Sequence, residues 1–170
     1  MSIFITKGKL LKDHCEVEYI KTNNEKKAEC KETSKEKPHA DLINAFDRLD
    51  VHLALIAEFI DRGKAKTIDK LRENLNDLFS VTGFTVKSDD EIKSVVLTGH
   101  KTLSTGKVLI FNTPLVSESD EEEDNYFFFQ DLRQCIEICQ TELQNYLFNG
   151  KTAPDSQLEL SFDDKKDEAV

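Results

Sequence analysis

The chain has 170 residues, 38% hydrophobic and 33% charged, with a formal net charge of -10. That length favours one domain with a modest core. The acidic balance argues against a protein that wraps duplex DNA, because phosphate binding needs clustered lysine and arginine. Local basic faces, binding to basic surfaces and imitation of DNA stay open.

The opening run Ile3-Phe4-Ile5 is too short for a signal peptide, and no run approaches membrane-spanning length. Cys15, Cys30, Cys135 and Cys139 form no C-x-x-C pair and are expected to be reduced thiols. Residues 2–34 are expected to be short strands. Cys15, Val17 and Tyr19 alternate with Glu16 and Glu18, the period of a half-buried strand. Asn23-Asn24 signals a turn into a partner strand carrying Ala28 and Cys30.

Residues 40–60 predict one continuous helix. Leu42, Phe46, Leu49, Leu53, Ile56 and Ile60 form its apolar stripe, Pro38 precedes it, and Gly63 is the expected stop. A second helix is expected over 67–79, capped by Thr67 and striped by Ile68, Leu71, Leu75 and Leu78. Phe84 and Val86, then Val95 to Leu97, predict strands joined by a turn at Ser88-Asp89-Asp90. After the turn Ser104-Thr105-Gly106, the run Val108-Leu109-Ile110-Phe111 is expected to be a strand covered on both faces.

Six acids fall within positions 117–124, an exposed loop by charge repulsion. A last helix is expected over about 125–148, with Phe129, Leu132, Ile136, Cys139, Leu143 and Leu147 as its stripe and Gly150 as its stop. Residues 1–150 thus predict a single α+β domain, an antiparallel sheet of short strands packed against two long amphipathic helices. The order of elements looks loosely duplicated. Residues 151–170 predict a disordered acidic tail.

Catalytic and metal motifs are not evident. Gly99-His100-Lys101-Thr102 lacks the glycine spacing of a phosphate loop, and Gly106-Lys107 is followed by Val108 instead of a hydroxyl residue. Cys135 and Cys139 are four apart on a helix but lack a second ligand pair, so core thiols are expected and no metal. His52 and His100 stand in no nucleophile motif. No cofactor is expected. Phe84 and Phe111, with Lys87, Lys93, Lys101 and Lys107 nearby, leave single-stranded DNA as a possible partner. In Tyr126-Phe127-Phe128-Phe129 an exposed Phe127 or Phe128 would mark a contact surface.

The tail carries the specific motif, Gln157-Leu158-Glu159-Leu160-Ser161-Phe162. It resembles the hexapeptide by which bacterial polymerases and repair proteins dock on the sliding clamp: Gln, an apolar or small residue, any residue, Leu, any residue, then Leu or Phe. The resemblance implies that Gln157 satisfies polar groups at a pocket rim while Leu160 and Phe162 fill adjoining apolar pockets, with Leu158 at the apolar-or-small position of the partner-binding motif. A flexible peptide binds this way with modest, reversible affinity. The body, from Asp41-Leu42-Ile43-Asn44-Ala45-Phe46 through Leu53-Ala54-Leu55 and from Leu97 to Leu103 through Phe111-Asn112, resembles uncharacterised small proteins of tailed bacteriophages and prophages of Bacteroidetes-like hosts. Together these imply a non-enzymatic accessory protein of DNA replication, recombination or repair in the cytoplasm of a bacterial host, tethered to a sliding clamp. An acidic inhibitor or DNA mimic, and a single-stranded DNA-binding module, are the alternatives.

Overall fold

The computed structural model describes residues 1–88, 90–118 and 125–154. Its element order is β1 Ser2–Leu10, β2 Cys15–Asn23, β3 Lys26–Ser34, α1 Ala40–Asp47, α2 Asp50–Ile56, α3 Asp69–Glu73, β4 Phe79–Val86, β5 Ser94–Thr102, β6 Val108–Asn112, β7 Val116–Ser117 and α4 Phe129–Phe148. The architecture is α+β. One antiparallel sheet has the order β3-β2-β1-β4-β5-β6, with the short β7 also pairing β5. The order is symmetric about the central β1–β4 pair. Each half is a three-stranded meander followed by helix, which gives physical form to the duplication hinted at by the sequence.

Alternation decides which face of the sheet is covered. Cys15, Val17, Tyr19, Val81, Phe84, Val86, Val95 and Leu97 point to the helices and are buried. Glu16, Glu18, Thr85 and Thr98 stay half-exposed on the other face. The β2–β3 hairpin turns through Asn24 and Glu25, both with positive φ (48° and 66°), as a two-residue turn matched to strand twist requires.

The helical layer differs from expectation in three places. The continuous helix over 40–60 is interrupted at Arg48-Leu49, where the Leu49 N–H bonds the Phe46 carbonyl at 2.9 Å, a tightened turn between α1 and α2. The helical run ends well before Gly63. Ala57 is its C-cap, Glu58 takes φ 62°, and the Phe59 N–H returns to the Ala54 carbonyl at 2.9 Å. This is a Schellman closure built on glutamate instead of glycine. The expected helix over 67–79 shrinks to α3, with Ile68 instead of Thr67 at its N-cap. Asn76 Oδ1 accepts the Leu78 N–H, and Phe79 already belongs to β4. Short polar side chains there offer the backbone a competing bond.

Helix α4 starts at Phe129, later than expected, because Asn125 bridges Ser117 and Phe128 is the N-cap residue. Its stripe is as expected: Phe129, Leu132, Ile136, Cys139 and Leu143 are buried against α1 and the sheet. Gln140 and Gln144 donate to the carbonyls of Ile5 and Ile3, which fixes the helix over β1. Gly8 on β1 lets Leu143 and Phe84 close over it: an added Cβ would lie 2.6 Å from the Leu143 side chain.

The run Val108–Phe111 is the clearest correction. It forms β6, an edge strand, and Val108, Leu109 and Ile110 are 50%, 41% and 76% exposed. Only Phe111 tucks in, edge-on to Phe59.

Candidate functional site

Gln157, Leu158, Leu160 and Phe162 lie outside the described residues. What the fold supplies is their point of departure. Gly150 (φ 68°) follows α4, and the Lys151 ammonium then pairs with Asp41 (2.8 Å) and Glu142 (3.0 Å). Thr152 bridges Pro38, and the Ala153 N–H bonds the Lys37 carbonyl at 2.9 Å. Residues 151–153 are therefore held beside the start of α1.

The body's densest polar cluster lies between α2, α3 and α4. His52 is fully buried, and its Nδ1 is 2.8 Å from the Tyr126 hydroxyl. Its Nε2 is 3.7 Å from Asp131 and has no hydrogen-bond partner. Arg72 Nη2 donates to both Asp131 oxygens at 3.1 Å, to the Arg48 carbonyl at 3.3 Å, and approaches the Cys135 sulfur at 3.6 Å. Cys135 is buried, as expected of a core thiol, and His52, which the helix pattern sets beside the apolar stripe, is buried as well. That pattern gives no sign of the Arg72–Asp131 pair, whose members are 59 residues apart.

The electrostatics follow from burial. Burial lowers the His52 pKa against the pull of Asp131, so the imidazole is neutral at pH 7. For Asp131, burial acts to raise the pKa, but the His52 and Arg72 contacts outweigh it and hold the carboxyl at about 2. With His52 neutral, the ion pair that counts is Asp131–Arg72. Burial pushes the Cys135 thiol up, lifts Cys15 to about 12, and raises Cys139 further still. Such thiols stay protonated and poorly nucleophilic.

His52, Asp131 and Cys135 place their ligand atoms within 4.8 Å of one another. They do not fit a metal. The Arg72 guanidinium sits against both Asp131 oxygens and the sulfur, so the chain's own cation occupies the position of positive charge, and a closed tetrahedral site needs a fourth ligand. Cys139 lies on the core stripe, outside the group.

Asp50 is a second half-buried carboxylate with the opposite balance. Burial raises its pKa to about 7, against the Val81 N–H bond of 2.8 Å and with help from Asp47. A carboxyl raised in the folded state binds its proton more tightly there than in the unfolded chain, so stability falls as pH rises from the ordinary carboxyl range towards 7. Asp50→Asn keeps an acceptor for Val81 and removes the half-buried charge. It is expected to raise stability by about 1–3 kcal/mol at pH 8 and by little at pH 4, read by thermal melts at both pH values.

The aromatic run divides by side. Phe128 and Phe129 are core, Tyr126 reaches His52, and Phe127 is 60% exposed with the Arg62 guanidinium stacked 3.8 Å above its ring. Phe127, Tyr126, Phe59, Ile60 and Leu55 line an open cavity of about 550 Å³. Phe127, which is expected to mark a contact surface if exposed, is thus an exposed aromatic of this cavity. The sequence did not point to Phe59 and Arg62 as its other half, because both follow the early end of α2. The sheet aromatics fare differently. Phe84 is turned into the core against Phe46, and Phe111 packs on Phe59. Lys101 lies over the Phe59 ring at 4.5 Å. An aromatic platform on the open sheet face, as single-strand stacking requires, therefore lacks Phe84.

The chain matches no family model, no curated protein and no solved structure. Among the described residues no helix is long and apolar enough to cross a membrane.

Proposed function

We propose that this chain is a non-enzymatic, phage-type accessory protein of DNA replication, recombination or repair, tethered to a sliding clamp by Gln157, Leu158, Leu160 and Phe162. The observation that carries the reading is the hexapeptide Gln-Leu-x-Leu-x-Phe, standing in a polar segment that follows Pro154 in the sequence. The bridge between Pro38 and Thr152 holds the segment that precedes the motif in sequence against the body. The Arg72–Asp131 pair of the body's ionisable cluster is half-buried and paired internally, which suits a binding module.

A DNA mimic predicts carboxylates in rows unbroken by cations. The body instead sets cations among its acids, as in Lys31–Glu18, Arg133–Glu118, Lys93–Glu91 and Lys151 between Asp41 and Glu142. The tether is tested by titrating a labelled peptide of residues 150–170 with host or phage clamp. Saturable binding is expected. Changing Gln157, Leu160 and Phe162 together to Ala is expected to weaken it by about 30-fold or more, as for loss of a hot spot. Equal binding by both peptides would remove the idea.

A further inference from the structure

The two edges of the sheet are built differently. The β3 edge, Lys26–Ser34, is guarded by Lys26, Lys27, Glu29, Lys31 and Glu32. Charged side chains of that kind stop edges from pairing with other chains. The β6 edge is Val-Leu-Ile-Phe-Asn, with no charge in the strand, and its apolar side chains are exposed on both faces. The fold's near-symmetry makes these equivalent positions, so the missing guard is specific to one edge.

The ladder fixes which backbone groups face outward. The Leu103 N–H bonds the Lys107 carbonyl at 2.8 Å, and the Thr113 N–H bonds the Leu97 carbonyl at 2.8 Å. Both belong to the register that pairs Lys101 with Leu109 and Gly99 with Phe111. Hydrogen-bonded pairs alternate in an antiparallel ladder, so residues 107, 109, 111 and 113 bond inward to β5. Val108, Ile110 and Asn112 therefore direct their N–H and C=O groups away from the sheet. Among the described residues no strand pairs with them; Asn125 covers only Ser117 of β7.

We infer that β6 is a self-association edge, and that its occupant is β6 of a second copy, antiparallel about a two-fold axis at Ile110. In that register Ile110 faces its own counterpart, and Val108 faces Asn112 in both directions. Each of these pairs can exchange two backbone bonds. On the helix side Leu109 meets Phe111 of the other copy, beside the 40% exposed Phe59. The charge pattern favours a copy. The nearest charge, Lys107, falls at opposite ends of the paired strands, so no like charges of the strands stand opposite each other. A closed two-fold contact uses up the edge on both copies and stops at a dimer.

The test is sedimentation velocity of the full chain from low micromolar to several hundred micromolar. A monomer–dimer equilibrium is expected. Ile110→Lys, at an exposed position, is expected to fold normally by circular dichroism and to weaken association at least about tenfold, as an edge lysine should. The register is read by two double variants. Val108→Lys with Asn112→Glu places opposite charges across the seam and retains the dimer. Val108→Lys with Asn112→Lys places like charges there and gives monomer. A monomer at every concentration, equal behaviour of the two double variants, or loss of the dimer in a chain ending at residue 154, which would make the tail the occupant, overturns the inference.

Discussion

Gly99→Ala is expected to lower the stability of the fold by about 3 kcal/mol, the upper part of the range for overpacking a core. Gly99 lies in β5 between Val81 on one side and Phe111 on the other, under α2. A Cβ there would stand 2.4 Å from the Ser80 carbonyl oxygen, 2.6 Å from Leu53 Cδ2 and 3.1 Å from Val81 Cα. Leu53 can change rotamer. The Ser80 oxygen cannot retreat without pulling β4 away from β5, and this pair carries α2 and the centre of the sheet. Urea unfolding of the two proteins at equal slope measures the loss. In a Leu53→Ala background most of the Gly99→Ala cost should persist, because the backbone contact is unchanged. A loss below about 1 kcal/mol would show that the sheet can open there more easily than its packing implies.

The second large effect is expected at Asp131. Its carboxylate is the only acid that faces the Arg72 guanidinium from α4, and both side chains are 21% exposed. Removing one partner of a fully buried pair costs several kcal/mol, and partial exposure reduces this, so Asp131→Ala is expected to cost about 2 kcal/mol. Arg72→Ala should cost a similar amount, since Arg72 also holds the Arg48 carbonyl and ties α3 to the body. The double variant should be less destabilised than the sum, with a coupling of about 1–2 kcal/mol. The pH dependence has a definite sign. Asp131 is held at about 2, below its ordinary value, so its contribution is present above the unfolded carboxyl pKa and is lost as pH falls from about 4 to about 2. Asp131→Asn should flatten that part of the acid limb. This is opposite to Asp50→Asn, whose benefit appears only as pH rises. Additivity of the two single changes, or a rise in melting temperature of the wild-type chain on adding Zn²⁺, would contradict the assignment of Arg72 as the cluster's own cation.

What the sequence reveals depends on how local the cause is. The stripe from Phe129 to Leu143 predicts α4 because a three-four spacing has no other compact use, and the fold buries those residues together. Alternation around Val17 predicts β2 for the same reason. Helix ends were harder. The stop at Ala57 rests on Glu58 accepting a left-handed conformation, which residue type disfavours and tertiary packing imposes. The run Val108–Phe111 reads as a covered strand by composition alone. Whether an apolar strand is central or at an edge is set by strand order, a property of the whole sheet. The Arg72–Asp131 pair is similarly invisible, since α3 and α4 are separated in sequence by the whole meander from β4 to β6. Phe84 had the right strand but no assignable face, because a bulge between Val81 and Gly83 shifts the alternation before it.

The functional reading has a different basis from the fold, since it rests on four side chains beyond Pro154 and not on the body's cavities. Its most direct test compares the full chain with a chain ending at residue 154 on immobilised sliding clamp, using surface plasmon resonance. Saturable, rapidly reversible binding is expected of the full chain, none of the shortened chain, with competition by a peptide of residues 150–170. Equal binding by the two chains, or no binding by either to host or phage clamp, would contradict it.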